Sequence, residues 1–254
     1  MEIVGVVHPL GAGGGRGGQE SLWALNFSFV LWRRPDGAVT EQQLYLSKPG
    51  LTDAELRAAM DALHPYDIIR VRVRPTEPVG AGDTARAQLV EVLGPEPSDT
   101  ELSARVEQLR QPVTVEHPFF GTLTLDRALN SYEAEVPWGG HPVRLHLSLD
   151  ESEDENALLA TAQSLWDEQR QWDERVRDHA ADELLDLKND AWLGEDEEPF
   201  TRDTFKARMA LASVGVYSDG AFEFCFNDGN LFWGHVILVS GSLAEGPKDA
   251  SIAG

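Results

Sequence analysis

The first part of the chain alternates apolar and polar residues in short runs, which is the pattern of half-buried strands. The clearest run sets three β-branched residues against three arginines: Ile69, Val71 and Val73 on one face, Arg70, Arg72 and Arg74 on the other. A helix is predicted at 52–63, because Thr52 and Glu55 can form a capping box ahead of apolar residues at helical spacing. The predicted order of three strands, a helix and two strands favours a small β-barrel, similar to the oligonucleotide/oligosaccharide-binding (OB) fold, over residues 1–95.

The second part of the chain combines strand patterns with one long helical pattern. Residues 151–193 contain no proline or glycine, and apolar residues recur every three or four positions except for a longer gap at Gln169. This predicts one amphipathic helix, or two in tandem, with an opposite face rich in Asp and Glu. Strands are predicted on both sides of it, with hairpin turns at Asp219-Gly220 and Asp228-Gly229. The last three strands are predicted at 214–217, 222–227 and 231–239, with Phe222, Phe224 and Phe226 on one shared face. Residues 236–239 are apolar on both faces, which predicts a central strand covered on both sides. The fold class predicted for residues 113–254 is α+β, an antiparallel sheet packed with a long acidic helix.

Two segments outside these patterns decide the predicted domain organisation. Residues 96–112 contain a capped helical pattern next to prolines, which predicts a helical linker between two domains. Residues 11–18, GAGGGRGG, are predicted to form a hairpin loop. A phosphate-binding loop would need a Lys-Ser/Thr pair after the glycines and then a helix, but a strand-like segment follows here.

Charge narrows the classes of partner. The net charge is −22, of which residues 1–95 carry −2 and residues 96–254 carry −20. Such a field repels nucleic acids and anionic membranes and attracts basic proteins, although an acidic surface can also serve solubility alone. The single cysteine, Cys225, fits a reducing compartment. No signal peptide is evident and the apolar runs are too short for a membrane span, so we expect a cytoplasmic protein.

Several aromatic and glycine-rich motifs in the second part resemble a known family. They are FFGTLTLD at 119–126, the tryptophan of VPWGG at 136–140, NDAWL at 189–193, DGNLFWGH at 228–235 and the final IAG. Together they resemble the bacterial domain-of-unknown-function family numbered 2262 over about residues 113–254. Similar small acidic domains occur among the immunity proteins of bacterial toxin systems, an analogy that rests on association.

Candidate chemistry in the second part centres on His235. It could act as a general base or ligand, with Glu223 as a possible cross-strand partner. Its neighbours in sequence supply no carboxylate, so a structural histidine bonded to a backbone carbonyl is the favoured interpretation. Trp233 is a candidate binding residue in the same motif. Cys225 alternates with phenylalanines and is predicted to be a core thiol.

Two further sets of residues are candidates for binding. His179, Asp182 and Glu183 share a helix face, which suits a metal or an acid/base pair, but this segment is so acidic that a chance match is the simpler explanation. Of the strand arginines, Arg70, Arg72 and Arg74 could contact phosphates, or they could form a solvated face that protects an edge. No cofactor is predicted, because the chain lacks a nucleophile elbow, a dinucleotide fingerprint and paired CxxC motifs.

Two functions of different classes remain from the sequence. The first is a non-enzymatic module that binds a basic protein, such as an immunity-type inhibitor of a toxin, without binding nucleic acid or membrane. The alternative is a hydrolase or transferase whose site is assembled around His235 or the acidic helix. An open cleft that joins His235 to a carboxylate would favour the enzyme, and a broad acidic surface would favour the binding protein.

Overall fold

The computed structural model describes residues 1–18, 20–76, 85–149, 155–195, 197–217 and 220–254. The chain forms two compact units, Met1–Pro112 and Val113–Gly254. Two sequence predictions fall partly outside the described residues: the start of the long helix, 151–154, and Asp219 of the first hairpin turn.

The first unit contains a closed five-stranded barrel, which confirms the predicted fold class. Its elements are β1 (Glu2–Gly15), β2 (Trp23–Arg33), β3 (Leu44–Leu51), α1 (Asp53–Asp61), β4 (Ile68–Pro75) and β5 (Ala85–Pro95). The strands follow the order β1-β2-β3-β5-β4, with β4 closing back onto β1. Helix α1 begins with the predicted capping box, in which Thr52 and Glu55 bond each other's backbone N–H groups.

The first five residues of the glycine run, 11–15, are strand, and only residues 16–18 belong to the connection between β1 and β2, so the prediction of a hairpin loop over 11–18 was wrong for most of the run. Strand β1 continues into the run, and Gly13, Gly14 and Gly15 pair with β2. At position 14 a Cβ would collide with the buried side chain of Leu56 on α1, so any other residue there would displace Leu56. The missing side chain therefore lets the helix approach the sheet closely, which periodicity alone does not reveal.

The segment predicted as a linker belongs to the first unit. It forms α2 (Thr100–Arg110), whose Leu102 and Val106 are buried in a cluster with Val4 and Val6 of the barrel. Burial of this kind attaches the helix to the barrel, so residues 96–112 do not form a free connection. That each unit folds by itself stays a prediction.

The second unit is an eight-stranded sheet with, among its described residues, three α-helices, again as predicted in class. The elements are β6 (Thr114–His117), β7 (Gly121–Asp126), β8 (Ser131–Trp138), β9 (His141–Ser148), α3 (Glu155–Asp167), α4 (Gln169–Ala191), α5 (Arg202–Arg208), β10 (Ala210–Val216), β11 (Ala221–Asn227), β12 (Val236–Ser242) and β13 (Gly246–Ala253). The strand order is β13-β12-β11-β10-β9-β8-β7-β6. All neighbours are antiparallel except β9 and β10, which are parallel because the helices connect them.

The long helical pattern forms two tandem helices, which resolves the alternative left open by the gap at Gln169. The break is at Glu168, and both helices bury their apolar stripe against the sheet. The predicted shared face of Phe222, Phe224 and Phe226 is confirmed, since all three are buried. No helix in the described part of the chain is long and apolar enough to span a membrane.

Two details of the last strands differ from the sequence prediction. The strand predicted at 231–239 begins only at Val236, because the preceding segment forms a loop. Only Ile237 and Val239 of β12 are buried, so this strand is covered on one face and not on both. A further strand, β13, pairs with β12 and was not predicted.

Candidate functional site

The connection between β11 and β12 forms a loop of residues 228–235, here called the aromatic loop. The carboxylate of Asp228 is buried at its centre and accepts hydrogen bonds from three backbone N–H groups. The donors are Asn230 at 3.0 Å, Phe232 at 2.6 Å and Gly234 at 3.2 Å. Because a buried carboxylate needs such partners, these bonds fix the path of the loop. They also withdraw the N–H groups from any strand pairing, which explains the late start of β12.

The aromatic loop is fixed to the rest of the second unit by a close backbone contact and by two buried apolar side chains. Gly229 has φ of 57°, and a Cβ at this position would collide with the carbonyl oxygen of Arg208. Only glycine combines this conformation with so close an approach. Leu231 and Phe232 are fully buried in the core of the second unit. The aromatic loop is therefore a rigid extension of that core.

Trp233 points away from this core. It is 63% exposed, and its φ is 57°, in the left-handed region that a bulky side chain rarely occupies. Such a conformation costs on the order of 1–3 kcal/mol and persists only where the surrounding structure imposes it. The indole lies against Trp192, the residue that follows α4, with ring centroids 4.9 Å apart. The aromatic loop thus presents a large apolar side chain to solvent in a fixed position.

His235 ends the aromatic loop and bonds to the backbone. Its Nδ1 lies 2.6 Å from the carbonyl oxygen of Phe232, which makes Nδ1 the donor, and its ring packs 5.4 Å from that of Trp192. Glu223 is opposite Ser240, which lies four positions along β12, roughly 13 Å of strand, beyond Val236, the residue after His235. The structure therefore does not bring His235 and Glu223 together, and the structural role of His235 stays a prediction.

Glu223 lies instead near Tyr217 and Cys225. Burial raises the pKa of the Tyr217 hydroxyl, and the nearby Glu223 carboxylate raises it further. Burial also raises the pKa of the Cys225 thiol, against a hydrogen bond from Ser213 that lowers it. Cys225 is half-buried on the face opposite the phenylalanines, so the prediction of a core thiol was wrong. A raised pKa keeps the thiol protonated, which is the opposite of an activated nucleophile.

The strand arginines of the first unit all have partners inside that unit. Arg70 forms an ion pair with Glu96 at 2.6 Å. Arg72 lies between Glu2 and Glu91, at 3.0 and 2.6 Å, and the hydrogen bond to Glu2 raises the pKa of its guanidinium. Arg74 donates to Gln88 at 3.2 Å. Contact with phosphates would have to compete with these bonds, so the arrangement is that of a solvated face.

The helix residues suggested for a metal differ in their surroundings: Asp182 is paired, Glu183 is exposed, and His179 has a ring nitrogen with no partner in the part of the chain that is described. Arg202 on α5 forms an ion pair with Asp182, and this hydrogen bond holds the pKa of the carboxyl below its usual range. The Nε2 of His179 is buried and has no hydrogen-bond partner among the residues described. Across the described ranges, no group of three or more His, Cys, Asp or Glu side chains could hold a metal ion. Asp182 therefore ties α5 to α4.

The sequence singled out Trp233 and His235 but not the residues that place them. Asp228 was predicted only as a turn residue, although an Asp followed by Gly-Asn is a sequence typical of side-chain-to-backbone bonding. The part played by Trp192 had no signal in the sequence, because it lies 41 positions before Trp233 and meets it only in the fold.

Comparison with protein families assigns both parts of the chain. Residues 1–109 match the model of a domain of unknown function, DUF7021. Residues 117–252, more than half of the chain, match DUF2262, described as an uncharacterized protein conserved in bacteria. A search of curated proteins finds no match. The resemblance expected from the aromatic motifs is therefore confirmed, and the chain belongs to the DUF2262 family of bacterial proteins.

Proposed function

We propose that this protein is a non-enzymatic binding module, in which the second unit docks a basic protein through Trp233 and the acidic side chains near it. The observation that carries the proposal is the exposed Trp233 held at φ of 57° by the buried Asp228 network. Tryptophan is enriched among the few residues that supply most of the binding energy of protein interfaces. A rigid backbone adds to this, because little conformational entropy is lost when the side chain is covered.

The charge around Trp192 indicates the kind of partner. Asp190, Glu195 and Glu198 are exposed and lie within six positions of Trp192 along the chain, and Trp192 contacts Trp233. A basic partner would be steered toward this region by the field of the acidic part of the chain and then held by the aromatic anchor. An immunity-type inhibitor of a basic toxin is the specific form that we favour, by analogy with other small acidic bacterial domains.

The alternative of a hydrolase or transferase finds less support in the geometry. His235 is bonded to a backbone carbonyl, Glu223 is distant from it, and Asp182 is engaged by Arg202. A general acid/base pair needs two groups within hydrogen-bond reach of one substrate.

The experiment is affinity capture with the whole protein from a bacterium that encodes it, followed by measurement with the purified partner. We expect Trp233→Ala to weaken binding at least tenfold, because an anchor residue typically contributes 2 kcal/mol or more, that is, about thirtyfold or more. Phe119→Ala is the matched control, since Phe119 is another exposed aromatic of the second unit, at 43%.

The second measurement is the dependence of partner binding on salt concentration. Binding should weaken steeply between about 50 and 500 mM salt, because a Debye length of about 10 Å at 0.1 M shrinks toward 3 Å near 1 M. The proposal fails if the partner binds equally well to both variants, or if it is acidic and indifferent to salt. Binding of DNA or RNA by the second unit at physiological salt would also contradict it.

A further inference from the structure

A cleft of about 870 Å³ opens in the second unit, and none of its lining residues belongs to the aromatic loop. It lies between the turn that joins β8 to β9, the first turns of α4 and the start of β10. Its volume is within the range of about 300–1,000 Å³ that small-molecule sites occupy. Its apolar wall is formed by the side chains of Trp138, Val143, Met209 and Leu211.

Two buried polar atoms of the cleft residues have no partner in the described part of the protein. One is the indole Nε1 of Trp138, whose side chain belongs to a residue only 4% exposed, and the other is Oδ1 of Asp173. Buried donors and acceptors are almost always bonded, so such atoms require an explanation. The neighbouring Trp166 follows the rule, because its indole N–H donates to the Pro137 carbonyl at 3.1 Å.

The other carboxylate oxygen of Asp173 is bonded, which leaves Oδ1 as its free oxygen among the described residues. Oδ2 of Asp173 accepts from Nε of Arg177 at 2.8 Å. Nη1 of Arg177 in turn donates to the carbonyl oxygens of Lys206 and Met209, at 3.1 and 2.5 Å. These bonds hold the carboxylate in place and neutralise it, while leaving Oδ1 as an acceptor without a donor.

The remaining polar groups of the cleft are mostly donors. Gln169 accepts from the backbone N–H of Gly139 at 2.6 Å, which leaves its amide NH₂ available. Arg170 is exposed and forms no ion pair within the described ranges, and His141 is exposed at the same turn. The cleft thus carries a net charge of +1, counting Arg170, Arg177 and Asp173, in a unit whose formal charge over residues 113–254 is −18.

We propose that this cleft binds a small organic anion that has an apolar or planar body and one hydrogen-bond donor. The anionic group would pair with Arg170. Because Nε1 of Trp138 and Oδ1 of Asp173 are buried in the empty cleft, its wall would open slightly on binding, so that an acceptor on the ligand takes the Trp138 N–H and the donor bonds Oδ1 of Asp173. The apolar body would lie against Val143, Met209 and Leu211. This site is independent of the protein-binding function proposed above.

The test uses isothermal titration of the whole protein with adenosine monophosphate, 4-hydroxybenzoate and inorganic phosphate. The first two are organic anions with a planar body and a hydrogen-bond donor, and they differ in whether the anionic group is a phosphate or a carboxylate. We expect at least one of them to bind with a Kd below about 1 mM, ten times or more tighter than inorganic phosphate, and to shift the Trp138 indole N–H signal in a ¹⁵N NMR spectrum. The proposal is overturned if neither organic anion binds, or if phosphate alone binds equally well.

Variants then locate the binding. Asp173→Asn can keep the bond to Arg177 while placing an NH₂ donor where Oδ1 was, and Arg170→Ala removes the cationic group; each should weaken binding at least tenfold. Glu174→Gln and Arg144→Ala are the controls, because both residues are exposed and lie outside the cleft lining. Equal affinity in Arg170→Ala and Arg144→Ala would overturn the proposal even if Asp173→Asn failed to fold, since Arg170 is exposed.

Discussion

At the scale of single residues, the aromatic loop depends on one carboxylate that is almost entirely buried. Asp228 is 4% exposed, yet it accepts three backbone hydrogen bonds from within the next six residues. An aspartate can do this because its short side chain reaches its own backbone, as in Asx turns. The exposure and backbone strain of Trp233 are thus consequences of a bond network that begins five positions earlier.

We expect Asp228→Ala to lower the free energy of unfolding by about 3 kcal/mol, because it leaves buried N–H donors without a partner. The measurement is urea unfolding followed by circular dichroism. Asp126→Ala is the matched control, since Asp126 also bonds two following N–H groups, but in a half-exposed turn where water can replace it. Equal losses in the two variants would show that the Asp228 network does not hold the loop.

At the scale of elements, a buried lysine stabilises the C-terminal end of α4 by bonding to Trp192 and to the segment after it. Lys188 is fully buried, and its ammonium donates to the Trp192 carbonyl at 2.8 Å and to Oε2 of Glu197 at 2.7 Å. It also lies 4.9 Å from the centroid of the Phe200 ring. A buried charge needs such partners, so the ion pair fixes both the helix end and the segment that follows it. The position of Trp192, and hence its contact with Trp233, is set by this element boundary.

This ion pair should make stability depend on pH in a defined window. The hydrogen bond from Lys188 lowers the pKa of Glu197 below its usual 4.5, and the Gly194 N–H lowers it further. A carboxyl with a lowered folded pKa contributes stability above its unfolded pKa and loses that contribution as the pH falls through the folded value. We therefore expect Glu197→Gln to lower the melting temperature at pH 6, with the difference from the unaltered protein shrinking below about pH 4.5.

Thermal unfolding between pH 6 and pH 3 measures this difference. Glu198→Gln, a change at the exposed next position, is the control that removes the general effect of one fewer acidic charge. A difference between Glu197→Gln and the unaltered protein that stays constant over the whole range would show that the Lys188–Glu197 pair does not contribute.

At the scale of the whole molecule, the chain divides in two both by compactness and by charge. The boundary between the compact units falls in the sequence between Pro112 and Val113, and nearly all of the net negative charge follows residue 95. Helix α2, which packs on the barrel of the first unit, has no net charge, because Glu101 and Glu107 are balanced by Arg105 and Arg110. The charge change along the sequence therefore coincides with the structural boundary, with −4 over residues 1–112 and −18 over residues 113–254.

We expect the fragments 1–112 and 113–254 each to fold and unfold cooperatively when expressed alone, because each contains its own buried core. Fragment 1–95 should be less stable than 1–112 by about 3 kcal/mol or more, since it lacks the buried Leu102 and Val106. Denaturant unfolding of the three fragments measures this. Equal free energies of unfolding for 1–95 and 1–112 would show that residues 96–112 do not stabilise the barrel and are only a linker.

The sequence by itself determined the features that arise from neighbours along the chain. Strand alternation, the Thr52 capping box and the apolar stripe at steps of three and four depend on local geometry, so the barrel and the α+β class followed from pattern alone. The same stripe predicted helix over the long segment but left one helix or two in tandem open. The aromatic motifs were also sufficient to indicate the family.

Only the tertiary structure decided features that join distant parts of the chain. Part of a glycine run pairs as strand and packs against Leu56, and a predicted linker became part of a core. His235 and Glu223 were left well apart along the β11–β12 hairpin, while Trp192 was brought to Trp233. Periodicity reports which face of an element is apolar but not which element covers it, and for that reason neither the aromatic loop nor the cleft at Trp138 could be found from sequence.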